Sequence, residues 1–147
     1  MNISGTIFQF FRLPKEPTIM GYINGREIEL KFKDLDCKVG DSKYKLITNN
    51  DMYNIIKLNR FNEMTYTPEY RDCDDYSYAM MGLVRSVMGG VAFGIVWTDV
   101  MKPDGTLDYK HSLNFFFNDK KEFMLVEPQT NQIYNMPKNY KPFFVLI

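Results

Sequence analysis

The hydrophobic pattern changes at residues 89–90, and this change constrains the fold more than any other feature of the sequence. Before this Gly-Gly pair, one apolar stripe consists of Tyr76, Met80, Val84 and Val87. Its three- and four-residue spacing predicts an amphipathic helix that begins at Cys73 and ends at the glycines. After the pair, residues 91–97 form a continuous apolar run, which is typical of a strand buried on both faces.

Turn signals divide the rest of the chain into further strands. Residues 102–105, Lys-Pro-Asp-Gly, predict a turn into a strand over residues 109–117. A second turn is predicted over residues 118–121, Asn-Asp-Lys-Lys. Further strands are predicted at residues 122–127, 133–134 and 143–147. The order is a helix followed by an antiparallel sheet, so we predict the α+β class.

The N-terminal third carries a different signal. Asn24-Gly25 separates two apolar stretches, residues 18–22 and 26–32, and an Asn-Gly pair in this setting predicts a β-hairpin. We therefore expect residues 1–47 to form an N-terminal β extension, followed by a short helix over residues 49–58. The 147 residues suit one domain, with residues 48–147 as its core.

Composition excludes several classes of partner and compartment. The 18 basic and 18 acidic side chains cancel, and the sequence has no basic segment for nucleic acid. No apolar run approaches the roughly 20 residues that span a bilayer, and the first residues lack the pattern of a secretory signal. Two cysteines are too few for a disulfide framework. We expect a soluble, cytoplasmic protein with free thiols, and the oligomeric state stays open.

His111 is the only histidine, and its spacing from Glu127 is suggestive. In a hairpin turned at residues 118–121, the numbers of two paired residues have a constant sum. If that sum is 238, His111 lies directly opposite Glu127; if it is 239, the two are one residue apart. A carboxylate beside an imidazole orients the ring and stabilises its protonated form. The alternative interpretation is a packed or surface histidine without a chemical role.

Cys73 is the candidate nucleophile because it lies in the first turn of the predicted helix. The helix dipole and the unpaired backbone N–H groups favour a thiolate there and can also hold an oxyanion. A buried core thiol is the alternative, and we take Cys37 to be structural. Three acids flank Cys73, namely Asp72, Asp74 and Asp75. They suit helix capping, yet their charges oppose a thiolate, and a bound cation would cancel that repulsion.

Three motifs occur in order and resemble a known family. They read YRDCDDY at residues 70–76, HSLN at 111–114 and EPQT at 127–130. This pattern is similar to that of papain-like cysteine proteases, specifically the C-terminal domain of a fairy-ring mushroom agglutinin and its small bacteriophage relatives. The resemblance covers about residues 50–135.

The resemblance implies a papain-like fold, in which an N-terminal helix carries Cys73 and packs on an antiparallel sheet carrying His111 and Glu127. It implies a Cys-His-Glu triad, with Cys73 as nucleophile, His111 as base and Glu127 as the orienting residue. The expected activity is hydrolysis of a peptide or amide in a protein substrate. Calcium dependence is also implied, and Asp72, Asp74 and Asp75 would then hold the ion. A bacteriophage origin would put the protein in the host cytoplasm or the virion.

One departure from the pattern keeps other functions open. Papain-like enzymes place a glutamine oxyanion donor before the cysteine, but residues 62–72 contain no glutamine. A non-catalytic papain-like phage accessory or peptide-binding protein is therefore one alternative. A transglutaminase-type acyl transferase is another, because it uses the same thiol chemistry. Asn114 faces away from His111 by strand parity, so we assign it to packing or hydrogen bonding.

Overall fold

The structure is a computed structural model that describes residue 13 and residues 15–147, except for the side chain of Asn62. This part of the chain has three α-helices: α1 (Gly25–Lys31), α2 (Asn49–Ile56) and α3 (Cys73–Val87). Its eight strands are β1 (Gly21–Asn24), β2 (Asp36–Lys38), β3 (Lys43–Leu46), β4 (Phe93–Met101), β5 (Leu107–Phe117), β6 (Phe123–Glu127), β7 (Gln132–Asn135) and β8 (Tyr140–Leu146). None of these helices is long and apolar enough to cross a membrane.

A six-stranded sheet organises the molecule. Its strand order is β2-β8-β4-β5-β6-β7, and all neighbours are antiparallel except β2, which runs parallel to β8. Strands β1 and β3 form a separate antiparallel pair. The long central strands β4 and β5 connect the two halves of the sheet, and β5 carries His111.

Two hydrophobic cores lie on opposite faces of the sheet, as the alternation along β5 shows. Phe115 and Phe117 join the core that includes residues of α1, β1 and β3. Phe116 joins the core that includes residues of α2 and α3. Because successive strand residues point to opposite faces, one strand fills both cores. Burying the sheet on both faces explains the continuous apolar run at the start of β4.

The predicted N-terminal hairpin is wrong. Asn24 and Gly25 do not form a turn between two strands; Asn24 is the N-cap of α1, and Gly25 is its first residue. Glu27 accepts a hydrogen bond from the backbone N–H of Asn24 at 2.8 Å, which closes a capping box. Strand β1 pairs with β3 instead of with the residues that follow the Asn-Gly pair. Residues 1–12 and 14 of the predicted β extension lie outside the described residues, and the single domain stays a prediction.

The predicted fold class also needs correction. Among the described residues more lie in strands than in helices, and strands precede the Cys73 helix as well as follow it. That helix is the third among the residues that the structure describes, so it is not N-terminal. The main sheet is not purely antiparallel, because Asp36–Lys38 add a parallel edge strand against β8. The sequence pattern missed this strand because three residues are too few to show a period.

Other elements agree with the sequence prediction. Helix α3 begins at Cys73, and the strands after it occur in the predicted order.

Candidate functional site

The first turn of α3 presents Cys73 at a capped helix N-terminus. Asp72 is the N-cap residue, and its backbone N–H donates to Asp75 Oδ2 at 3.2 Å. The Asp72 side chain accepts from the backbone of the third helical residue, which completes the capping box. Cys73 is therefore the first residue of a 15-residue helix and is half-buried. This position places Cys73 in the first turn, whose N–H groups have no acceptor within the helix.

His111 and Glu127 are in direct contact on adjacent strands. Their Nε2 and Oε2 atoms are 2.9 Å apart. The side chains are 16% and 15% exposed, so the pair is largely shielded from water. A carboxylate at this distance fixes the ring orientation and favours the protonated imidazole.

The strand register that brings this pair together differs from both registers considered from the sequence. Asn114 pairs with Val126, so paired positions sum to 240. Glu127 is thus displaced by two residues from the position opposite His111. The even sum keeps both side chains on one face, and diagonal neighbours on adjacent strands are within reach of long side chains. The predicted contact is confirmed, but the predicted register is wrong.

The Cys73 side chain also lies close enough to His111 to act on the pKa of its ring. Because Nε2 faces Glu127, Nδ1 is the ring nitrogen left for the sulfur. Burial lowers the pKa of His111, but hydrogen bonds to Cys73 and Glu127 and their negative charges outweigh it and raise that pKa to about 9. The structure thus brings Cys73, His111 and Glu127 together in a single chain of contacts.

The second thiol lies elsewhere. Cys37 is in the edge strand β2, and neither cysteine forms a disulfide. Burial raises the pKa of Cys37, and the charges of Glu29 and Asp36 raise it further. This environment opposes the reactive thiolate form.

The three acids around Cys73 form a cluster. Asp72, Asp74 and Asp75 each place one ligand atom within 4.8 Å of the others. A hydrogen bond to Asp72, burial and the charge of Asp72 raise the pKa of Asp74. Asp72 and Asp75 already serve the capping box. Carboxylate oxygens suit a hard cation such as calcium, but capping accounts for two of the three side chains.

A cavity of about 1060 Å³ adjoins His111 and Glu127. Four tyrosines line it, namely Tyr53, Tyr109, Tyr134 and Tyr140, and α2 also contributes the amide side chains of Asn49 and Asn50. Burial is the main cause that raises the pKa of Tyr109 and of Tyr134, and the neighbouring Tyr140 raises both further. Sequence reasoning missed this cavity because its residues come from one helix, four strands and a loop that are separated in the sequence.

Comparison with known proteins places the fold. No protein-family model and no curated protein matches the chain. Two similar solved structures are described as "PSL1a-E64 complex" and as Polyporus squamosus lectin bound to the glycan epitope Neu5Aca2-6Galb1-4GlcNAc. The first has a TM-score of 0.70 and 18% identity, and the match covers 86% of this chain and 50% of that one. The second has a TM-score of 0.69 and 18% identity and covers 86% and 49%. This chain thus spans about half the length of those it matches.

These comparisons correct the family and function expected from the motifs. Neither description names a papain-like protease, and one names a lectin, so the papain-like family is not retained. The expected peptidase or amidase function is corrected on the same finding, as are the phage accessory and acyl transferase alternatives. The ligand named for the second structure is a glycan and not a peptide. At 18% identity the likeness establishes the fold alone, and the roles of Cys73, His111 and Glu127 stay predictions.

Proposed function

We propose that Cys73 is an activated thiol nucleophile that forms a covalent bond with an electrophilic carbon of a ligand. One observation carries this proposal: the His111 ring contacts the Glu127 carboxylate at 2.9 Å and lies near enough to Cys73 for the thiol to act on its pKa. An imidazole held between a thiol and a carboxylate is the arrangement that activates a cysteine. The proposal concerns these three side chains and the bond that the sulfur forms.

Each residue has a defined part in the reaction. His111 accepts the thiol proton, which leaves a thiolate beside an imidazolium, and Glu127 stabilises that cation. The thiolate then attacks the electrophilic carbon, and a carbon–sulfur bond forms. When the electrophile is an epoxide, its carbon–oxygen bond breaks, and the imidazolium returns the proton to the new alkoxide. Atoms and charges balance without another reactant.

The helix start adds electrostatic support. Cys73 begins a helix of 15 residues, and the first-turn N–H groups have no acceptor within the helix. These donors and the helix dipole favour negative charge on the sulfur or on an oxygen of the ligand. They are available in place of the glutamine that residues 62–72 lack.

The test measures covalent labelling by intact-protein mass spectrometry. E64, the compound named with one similar structure, is the probe because it carries an epoxide. We expect one adduct, which peptide mapping assigns to Cys73. His111→Ala should slow labelling by about 100-fold or more, because the general base is lost. Cys37→Ser is the matched control and should label like the wild type.

Two results would contradict the proposal. One is the absence of any adduct after prolonged exposure of folded protein. The other is labelling of Cys37 as fast as Cys73, since that would show ordinary thiol reactivity. The chemistry needs a reduced thiol, and we therefore propose a reducing compartment such as the cytoplasm.

Glycan binding is a second candidate function, and the cavity beside the pair is what favours it. Tyrosine faces and amide side chains are the groups that bind the apolar and polar faces of sugars, and the cavity has them in Tyr109, Tyr134 and Asn131. A glycan is named with one similar structure, although that chain is about twice as long as this match.

The same trisaccharide tests this candidate. Saturation-transfer NMR should show contact with the sugar, and Tyr134→Ala should remove it while Cys73→Ser leaves it unchanged. No transfer at millimolar sugar would exclude the second candidate without affecting the first.

A further inference from the structure

A buried polar connection joins the Cys73 helix to the His111 strand. Ser112 Oγ donates to Ser77 Oγ at 3.1 Å, and Ser77 Oγ donates to the backbone carbonyl of Cys73 at 2.9 Å. Ser77 is completely buried, and Ser112 is 1% exposed. Ser77 lies one helical turn after Cys73, and Ser112 directly follows His111. The hydrogen bonds therefore run between the immediate neighbourhoods of the two reacting side chains.

Asn114 adds a second link between the same elements. Its Nδ2 donates to the Ser77 backbone carbonyl at 2.9 Å and to the Gly94 carbonyl at 3.1 Å. Asn114 is fully buried, and its Oδ1 has no hydrogen-bond partner among the described residues. These contacts confirm the prediction that Asn114 makes hydrogen bonds; that it has no catalytic role stays a prediction. Asn114 thus links β5, on which it lies, to α3 and to β4 through the hydrogen bonds of one side chain.

Packing alone does not explain these groups. Placing hydroxyl and amide groups in a core costs free energy that an apolar pair of similar size avoids. Hydrogen bonds are directional, however, and fix the sliding and rotation of one element against another, which apolar contacts leave softer. Here the fixed quantity is the position of the first turn of α3 relative to β5.

We propose that Ser77 and Ser112 are positioning residues that hold the Cys73 sulfur against the His111 ring. This inference rests on the proposed function, since it concerns the geometry of the same thiol. It assigns a role to two serines whose hydroxyl groups bond to each other and to the Cys73 backbone. A displacement of even about 1 Å between reacting groups can cost up to 100-fold in rate.

The experiment compares Ser77→Ala and Ser112→Ala with Ser86→Ala. Ser86 lies on the same helix, and its hydroxyl donates to the Leu83 carbonyl at 2.7 Å, but it is exposed and far along the helix from Cys73. The first readout is the iodoacetamide rate at Cys73, with Cys37 as internal reference. We expect a loss of about fivefold or more in the two buried variants and none in Ser86→Ala.

The second readout separates positioning from stability. The NMR titration midpoint of His111 should fall in Ser77→Ala and Ser112→Ala, because the ring loses its contact with the sulfur. A purely structural role would lower the melting temperature without moving that midpoint. Ser112→Thr keeps the hydroxyl and should restore both readouts. If Ser77→Ala fails to fold, Ser112→Ala and Ser112→Thr carry the test.

The outcomes distinguish the two proposals. A wild-type Cys73 that reacts no faster than Cys37 overturns the proposed function. A fast wild-type Cys73 that stays equally fast in both folded alanine variants overturns only the positioning role.

Discussion

His111 and Glu127 lie 2.9 Å apart although they are not a paired position of their strands. The last β5–β6 pair is Asn114 with Val126, and His111 and Glu127 both lie beyond that pair. Beyond this pair β5 and β6 are no longer paired, so His111 and Glu127 meet through their side chains alone. The contact between His111 and Glu127 therefore forms just past the end of the β5–β6 pairing.

The His111 titration tests this arrangement directly. Since His111 is the only histidine, its ring signals in a ¹H–¹⁵N NMR spectrum need no assignment. We expect a midpoint near pH 9, because the raised pKa of His111 keeps the ring protonated well above the usual range. Glu127→Gln should lower the midpoint by about one pH unit or more, since the opposite charge is removed.

Cys73→Ser is the companion variant for that titration. It replaces the thiol by a hydroxyl, which keeps a hydrogen-bonding group but carries no negative charge in the accessible pH range, so the His111 midpoint should also fall. A wild-type midpoint near 6.5 would show that neither neighbour acts on the ring and would contradict the arrangement.

The same pair predicts a pH-dependent loss of stability in Glu127→Gln. The folded pKa of His111 is about 9, above its unfolded value, so the stabilisation is complete below about pH 6.5 and is lost as pH rises through 9. The substitution should lower the free energy of unfolding more at pH 6 than at pH 10, by on the order of 1–3 kcal/mol. Urea unfolding at the two pH values measures this difference. An equal loss at both would show that Glu127 contributes packing only.

The sequence predicted the second half of the fold well because local and tertiary signals agree there. The helical stripe of α3 and the buried run of β4 are the patterns that the observed cores require. The prediction for residues 21–32 was wrong because two local signals compete at Asn24. Asn-Gly predicts a turn, whereas Asn24 followed three residues later by Glu27 is a capping signal, and the capping box is what forms.

The sequence could predict which residues belong to the candidate site, but not the strand register and the buried contacts that join them. Cys73, His111 and Glu127 could be selected from the sequence, because each motif is local. The strand register that joins His111 to Glu127 depends on the whole hairpin, and a two-residue shift leaves the hydrophobic alternation unchanged. The contact between Ser77 and Ser112 joins residues 35 positions apart, and no local sequence pattern in either segment predicts it.

Gly25 provides a test of the corrected N-terminal region. In a hairpin turn this glycine would be needed for a positive φ, but here it begins α1, and an added Cβ would lie 2.5 Å from the Asp41 carbonyl oxygen. Gly25→Ala should therefore destabilise the protein by about 1–3 kcal/mol through overpacking. Asn24→Ala should cost about 1 kcal/mol through loss of the cap. Thermal unfolding measures both, with the open position Gly82→Ala as control; a neutral Gly25→Ala would contradict the close contact.

Calcium remains a prediction for Asp72, Asp74 and Asp75, and Asp74 is the residue that tests it. Because the pKa of Asp74 is raised, its charged form is disfavoured in the folded protein, so in chelator Asp74→Asn should melt at a higher temperature than the wild type. If calcium binds, the wild type should gain several degrees in millimolar calcium, since a ligand that binds only the folded state stabilises it. Asp74→Asn should lose that gain, and the exposed Asp108→Asn should keep it. Identical melting temperatures of the wild type in calcium and in chelator would contradict calcium binding. Asp72 and Asp75 would then serve only as a helix cap, with the charge of Asp74 disfavoured beside them.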